Sequence, residues 1–337
     1  LVLLSGMAMM SAAAAVNPQL GVRHGTWMAI GLLVCVGVAS TDYRRWTDLA
    51  GLAYALTLCL LALVPVAGAM RLGATRWLSI LGFSVQPSEI MKLTTICLLA
   101  RYLGGQPGGL TGRALCISLG LAGVPALLVF LQPDLGSASV FGAIWLGMVW
   151  VAGISRRALW RLAGSLVVLL PLGWHVLKDY QRDRLMVFLN PHADPLGAGY
   201  TIIQSKIAIG SGALFGRGWF AGTQNQLSFL PERHSDFIFS VIGEEWGFLG
   251  AVTVVALFGL LLTRAIAIAR SSPALEGRLL SIGVVAWLGF QAFVNMGMVM
   301  GLLPVVGVPL PLISYGGTSM VTVWLALGLL QSVHRSP

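Results

Sequence analysis

Apolar residues run through this chain in long unbroken stretches, separated by short polar segments rich in Arg, Gly and Pro. A membrane-spanning helix needs about 20 mostly apolar residues. Ten stretches meet or approach that length: 1–16, 26–41, 47–67, 86–103, 113–131, 135–153, 157–177, 236–265, 277–302 and 312–333. None shows the apolar–polar alternation over about 10 residues that marks a membrane β-strand. The pattern predicts an all-α polytopic membrane protein with about ten transmembrane helices, forming a single transmembrane domain over 1–337. The first stretch begins at Leu1 without an initiator Met, so the sequence is expected to start inside a longer helix. Its alanines Ala12, Ala13, Ala14 and Ala15 also suit a signal peptide, but no basic leader precedes them.

Composition narrows the class further. Hydrophobic residues make up 57% and charged residues 10%, against roughly 25% charged in a soluble domain. That excludes an ordinary soluble enzyme and a disordered chain, which needs low hydrophobicity and high charge. The net charge of +9 would suggest nucleic acid in a soluble protein. Here it reflects loop arginines, and no nucleic-acid partner is expected. With the N-terminus in the cytoplasm, eleven arginines fall on the inner side: 44, 45, 101, 113, 156, 157, 161, 264, 270, 278 and 335. The short outer loops then hold only Arg23, Arg71 and Arg76. Both termini are therefore expected inside. The four cysteines lie in or beside apolar stretches with no CxxC spacing, so neither a disulfide framework nor a zinc site is expected.

One outer loop, 178–235, stands apart from the other short connections. Loops longer than about 12–15 residues are usually functional or disordered. This one has aromatic residues, spaced glycines (Gly210, Gly212, Gly216, Gly218, Gly222) and an amphipathic stretch at 200–209. It is expected to form an ordered, partly re-entrant cap between the seventh and eighth helices.

Charges inside spans are costly and default to function. In Gln86-Pro87-Ser88-Glu89-Ile90-Met91-Lys92, Pro87 suits a first helical turn, and Glu89 and Lys92 share a helix face. Such a pair either neutralises itself and locks the helix to a neighbour, or lines a polar cavity. In Gln132-Pro133-Asp134-Leu135-Gly136, Asp134 either caps the following helix or stands at the cavity rim. In Leu230-Pro231-Glu232-Arg233-His234-Ser235-Asp236-Phe237, where the long loop re-enters the membrane, Asp236 suits a helix N-terminus. Glu232, Arg233, His234 and Ser235 crowd beside it. Glu244 and Glu245 follow about 12–14 Å further along a helix rising 1.5 Å per residue. The loop also carries Arg182, Arg184 and Lys206, which suit a phosphate or pyrophosphate or, equally, lipid headgroups. Asn295 and the turn-rich stretch 304–317 shape the entry to the last span, and His24, His175, His192 and His334 read as structural.

These motifs resemble the SEDS family (shape, elongation, division, sporulation), end to end. The resemblance rests on Arg76-Trp77-Leu78, Gln86-Pro87-Ser88-Glu89, Gln132-Pro133-Asp134-Leu135-Gly136 and Asp194-Pro195-Leu196-Gly197-Ala198-Gly199-Tyr200. It continues through Gln204-Ser205-Lys206, the 230–239 stretch, Gly243-Glu244-Glu245 and Gly307-Val308-Pro309-Leu310-Pro311-Leu312-Ile313-Ser314-Tyr315-Gly316-Gly317. Gly222-Thr223-Gln224 and Glu232-Arg233-His234 resemble the rod-shape branch more than the division branch. Ser235 stands where relatives often have Thr and keeps the hydroxyl.

The resemblance implies a peptidoglycan glycosyltransferase of the bacterial cytoplasmic membrane that polymerises lipid II on its outer face. It implies a class B penicillin-binding protein as partner. It carries the family's essential aspartate onto Asp236 and its helix-borne Glu and Lys onto Glu89 and Lys92. On that reading Asp236 acts as general base in one inverting displacement. Lys206, Arg182, Arg184 or Arg233 would stabilise the leaving undecaprenyl pyrophosphate, as would a divalent cation (Mg2+ or Mn2+), although no ligand spacing demands one. No organic cofactor is expected. Composition alone favours a lipid II transporter instead, but charge concentrates on the outer side and its long loop. A scaffold that only activates a penicillin-binding protein would find Asp236 dispensable.

Overall fold

The computed structural model describes residues 1–14, 17–71, 74–80, 83–106, 110–162, 164–165, 175, 179–191, 194–195, 197 and 199–336. Its helices in chain order are α1 (Val2–Ala14), α2 (Gln19–Ala39), α3 (Tyr43–Asp48), α4 (Ala50–Ala67), α5 (Pro87–Gly104), α6 (Gly112–Leu131) and α7 (Leu135–Val151). Then follow α8 (Asp179–Leu189), α9 (Tyr200–Ser211), α10 (Thr223–Gln226), α11 (Ile238–Ser271), α12 (Leu275–Val299) and α13 (Gly317–Arg335). Nine of the ten predicted spans are thus helices, and the stretch 157–177 lies largely outside the described residues. Among the described residues, five helices are long and apolar enough to cross a membrane by length and composition: α2, α4, α6, α11 and α12. The all-α expectation gains one exception. The connection between α4 and α5 forms a three-stranded antiparallel sheet, β1 (Ala69–Arg71), β2 (Ala74–Ile80) and β3 (Phe83–Val85), in the order β1-β2-β3.

Local chemistry sets the helix starts. Pro87 occupies the first turn of α5, where its missing N–H costs nothing. Thr111 and Asp134 cap α6 and α7 by accepting from the N–H groups of Ala114 (3.2 Å) and Ser137 (3.0 Å). The main core gathers side chains of α5, α7, α12 and α13 around Ile96, Ile144, Met148, Trp287 and Leu329, all with essentially no solvent exposure.

α11 is not a continuous rod. At 34 residues it would run about 51 Å, well beyond the roughly 30 Å hydrocarbon core. It breaks at Gly247 (φ 66°, ψ −160°) into a short half-helix, 238–246, and a spanning segment, 248–271. The loop after α9 fills the break. Arg217 and Gly218 N–H groups donate to the carbonyls of Glu244 and Glu245 (3.0 Å each), while Phe248 and Leu249 N–H groups donate to Ala213 and Leu214 (2.8 and 3.2 Å). The backbone groups that a helix break would orphan are therefore paired. Only glycine fits here: a Cβ on Gly247 would lie 2.3 Å from the Gly216 nitrogen, and Gly216 itself has φ 81°.

Candidate active site

Asp236 sits immediately before α11, whose N-cap is Phe237, and it makes no capping bond to that helix. The expected capping role does not hold, and its carboxylate is left for other work. Three donors hold the backbone leading to it, one per residue. The Tyr315 N–H donates to the His234 carbonyl (2.9 Å), the Ser314 hydroxyl to the Ser235 carbonyl (2.5 Å), and the Asn295 amide to the Asp236 carbonyl (2.9 Å). The upstream turn closes on Glu232, whose carbonyl accepts from the Ser235 and Phe237 N–H groups (3.0 and 3.2 Å). Glu232 (φ 49°) and Leu312 (φ 63°), one on each side of the junction, both hold left-handed backbone that is costly without glycine.

The electrostatics converge on Asp236. Its partial burial, helped by the nearby Glu232 and Asp134 carboxylates, pushes the Asp236 carboxyl up to about 7; Arg76 and Arg184 pull the other way. Arg76, on β2, clamps the turn before α7. Its Nε donates to the Gln132 carbonyl (3.4 Å), one Nη donates to the Pro133 carbonyl, and the other lies 3.8 Å from Asp134 Oδ2. Asp134 thus caps α7 and also faces the site. Arg184, on α8, donates to the Val305 carbonyl (3.3 Å) across a cleft lined by Pro133, Leu185 and Pro304. Ser235 donates its hydroxyl to Glu232 Oε2 (3.0 Å), and His234 Nε2 lies 4.0 Å from the same oxygen. Burial holds His234 below its usual range, with Glu232 opposing and Arg233 adding to the effect.

Other expected site residues lie elsewhere. Arg233 is 2% exposed and faces inward, donating to the carbonyls of Ala12 (3.2 Å) and Asn225. It ties α1 and α10 to the loop before Asp236, and the expectation that it binds pyrophosphate is corrected: its guanidinium has no open face. Glu89 and Lys92 form a 2.8 Å ion pair with side chains 1% and 0% exposed. The pair faces α12, with Lys92 Nζ 3.5 Å from Gln291 Oε1 and 5.1 Å from the Trp287 ring centroid. In this structure the pair bolts α5 to α12. Glu244 accepts from the Gln224 and Asn225 N–H groups at the start of α10 (2.8 and 3.2 Å). Glu245 accepts from Ser11 and from Asn225 Nδ2 (3.0 Å). Lys206 is exposed and lies over Gly301, beyond the C-terminus of α12, a position favoured by the helix dipole. Arg182 donates to the His175 carbonyl (3.2 Å).

Sequence reading passed over Arg76 as a site residue, although the motif contained it, and did not foresee Ser314 and Asn295 as the clamps on the Asp236 backbone. A buried Asn near a helix end, 0% exposed, is the signal that points to Asn295. Among the described residues no group of three or more His, Cys, Asp or Glu side chains is placed to hold a metal ion. The carboxylates nearest the site are Asp236, Glu232 and Asp134.

A polytopic helical bundle with a paired-charge bolt and a group of carboxylates around Asp236 at the head of a broken helix defines an integral membrane protein with a candidate catalytic carboxylate. The model of the FtsW/RodA/SpoVE cell cycle proteins matches residues 1–337, and the chain belongs to that family. It is 44% identical over 312 residues to the peptidoglycan glycosyltransferase MrdB of Escherichia coli K12, covering 91% of this chain and 83% of the relative. Its fold matches a chain of a peptidoglycan synthase complex, solved to describe the coordination of polymerization and crosslinking. That match has a TM-score of 0.84 and 38% identity, covering 99% of this chain and 95% of that one. It also matches the crystal structure of the rod shape determining protein RodA of Thermus thermophilus (TM-score 0.73, 33% identity, 99% and 93% covered).

Proposed function

We infer that this chain is a peptidoglycan glycosyltransferase of the elongation type, that it polymerises lipid II, and that Asp236 is its general base. The observation that carries the assignment of the base is a carboxyl lifted to about 7, held by its own backbone and left out of the helix cap. A base poised near the working pH combines an adequate ionised fraction with useful basicity.

The acceptor sugar hydroxyl gives its proton to the Asp236 carboxylate as its oxygen attacks the anomeric carbon of the donor. The bond from that carbon to the pyrophosphate oxygen breaks on the opposite face, and the electron pair leaves with undecaprenyl pyrophosphate. An α-linked donor thus yields a β-1,4-linked strand in one inverting step, with no covalent enzyme intermediate. Arg184 and Arg76, whose charges reach Asp236, are placed to offset the developing negative charge. Arg182 and Lys206 lie on the same cap and serve the diphosphate or the lipid headgroups around it. The residues present do not make a closed metal site, so Mg2+ or Mn2+ is assigned no step. The arginine distribution supports an active site that faces outward with both termini in the cytoplasm. A class B penicillin-binding protein is the proposed partner, in line with the synthase complex to which the fold is similar.

The test is glycan polymerisation from lipid II by purified protein and partner in detergent, comparing wild type with Asp236→Ala and Asp236→Asn. Detergent removes sidedness, so a protein that only transports lipid II makes no polymer. Long glycan from wild type and a loss of at least about 10²-fold in both variants is expected. Wild-type activity in Asp236→Asn would return the protein to transport or scaffolding.

A further inference from the structure

Asp236 is one residue removed from a helix yet is not positioned by it. Its place is set from α12, by a side chain that contacts neither the carboxylate nor the cleft. Asn295 is 0% exposed near the end of α12. Its single amide nitrogen donates both protons, one to the Asp236 carbonyl (2.9 Å) and one to the Val308 carbonyl (2.7 Å). Those two carbonyls belong to segments 72 residues apart in the chain that form the two walls around the carboxylate. The second wall passes close to the reacting group: a Cβ on Gly307 would lie 3.4 Å from Asp236 Oδ2.

We propose that Asn295 is a positioning residue for glycosyl transfer, setting the separation between the Asp236 backbone and the 307–308 wall and thereby the reach of the carboxylate toward the acceptor hydroxyl. This rests on the reading of Asp236 as general base. The chemistry demands an amide. Two carbonyls converge on one atom, so that atom must carry two protons, and at this side-chain length only the asparagine nitrogen does. Aspartate, nearly the same shape, would set oxygen against both carbonyls. Alanine would leave both carbonyls buried and unpaired. Ser314, whose hydroxyl also accepts from the Leu310 N–H (2.7 Å), and Tyr315 tie the same two segments at the preceding carbonyls, but Asn295 alone among these three makes the link at Asp236 itself.

The experiment measures lipid II polymerisation with the partner present for wild type, Asn295→Ala, Asn295→Asp and Asp236→Asn. It includes kcat, KM and pH profiles, and a thermal melt of each protein. The groups facing Asp236 that contribute to its profile are Glu232, Asp134, Arg76 and Arg184, and none is altered. Asn295→Ala should lower kcat by about tenfold or more with KM for lipid II within about threefold, because a misplaced base loses rate and not substrate affinity. Asn295→Asp should lower kcat further, and the acid limb of its pH profile should move to higher pH through the added carboxylate. Wild-type kcat in Asn295→Ala, with Asp236→Asn inactive, would overturn the positioning role and leave the base assignment standing. An active Asp236→Asn would overturn the base reading itself. If both Asn295 variants lose folded protein in the melt, or lose kcat and substrate affinity equally, the residue is a structural anchor and the proposal fails.

Discussion

Ionising Asp236 means placing charge in a partly buried position beside two other carboxylates, and burial is the larger of these costs. The sign has consequences for rate and for stability. A general base works only when ionised, so activity should fall as pH drops through about 7, with about half the carboxyl ionised there. A pH–rate profile for wild type should show that acid limb. Glu232→Gln, removing one of the charges that raise it, should move the limb to lower pH while leaving the polymerisation chemistry in place. For stability the raised value runs opposite to the usual salt-bridged aspartate. The folded state holds the proton more tightly than the unfolded chain, whose carboxyl titrates near 3.8. The protonated group's contribution is complete below that value and is lost as pH rises through about 7. Asp236→Asn should therefore melt above wild type already at pH 5, where the unfolded carboxyl is ionised and the folded one is not, and by a larger margin at pH 8. A lower melting temperature for the variant at pH 8 would mean that the carboxylate stabilises the fold and is not held there against its own cost.

Two elements show how local rules and tertiary structure divide the work. The break in α11 depends on Gly247 and Gly216 together, since each requires left-handed backbone, a Cβ on Gly247 would meet the Gly216 nitrogen (2.3 Å), and a Cβ on Gly216 would meet the Glu245 carbonyl (2.1 Å). Gly247→Ala should lower the melting temperature and abolish polymerisation, because the short half-helix carrying Glu244 and Glu245 loses its seat. Gly259→Ala, in the spanning part of the same helix with open space around its Cβ, should be neutral or stabilising by up to about 1 kcal/mol. The bolt between α5 and α12 makes a different demand. Lys92→Met leaves Glu89 buried and uncompensated, at a cost of about 3–5 kcal/mol, and the double variant Glu89→Gln/Lys92→Met should recover most of the lost melting temperature. The spans were legible because lipid imposes one simple length and composition rule, and Pro87 and Asp134 marked helix starts correctly. The break at Gly247 was not legible, because a glycine inside an apolar stretch is tolerated in membrane helices and only the inserted loop shows why it is needed. The small sheet was missed as well. Its strands lie in a connection read only for its arginines. Within the site, Asp236, Glu232 and Asp134 were identifiable from charge near a span. Arg233 was misread because a sequence gives charge but not direction, and its guanidinium turns inward to backbone carbonyls of α1 and α10.

At the scale of the whole molecule, the chemistry requires the Asp236 site to open on the side of the membrane where lipid-linked donor and growing strand meet. The argument for that side is the arginine count, eleven residues in or beside one set of loops against three in the short loops of the other. The long cap counts little in such a tally, because large translocated segments cross largely regardless of charge. Sidedness therefore has its own test. In a background with Cys35, Cys59, Cys97 and Cys116 replaced, single cysteines at Asn190, exposed in the cap, and at Ser271, exposed at the far end of α11, report the two faces. A membrane-impermeant maleimide should label Asn190→Cys on intact spheroplasts and Ser271→Cys only after lysis. Ser271 ends the spanning part of α11, while Asn190 follows α8, whose Arg184 acts on Asp236 ahead of the other end of α11, so the two report opposite ends of the bundle. The reverse labelling pattern would place Asp236 in the cytoplasm, where polymer could not be delivered to the wall without a second membrane crossing. The catalytic reading of the site would then fail even if every hydrogen bond in it were correct.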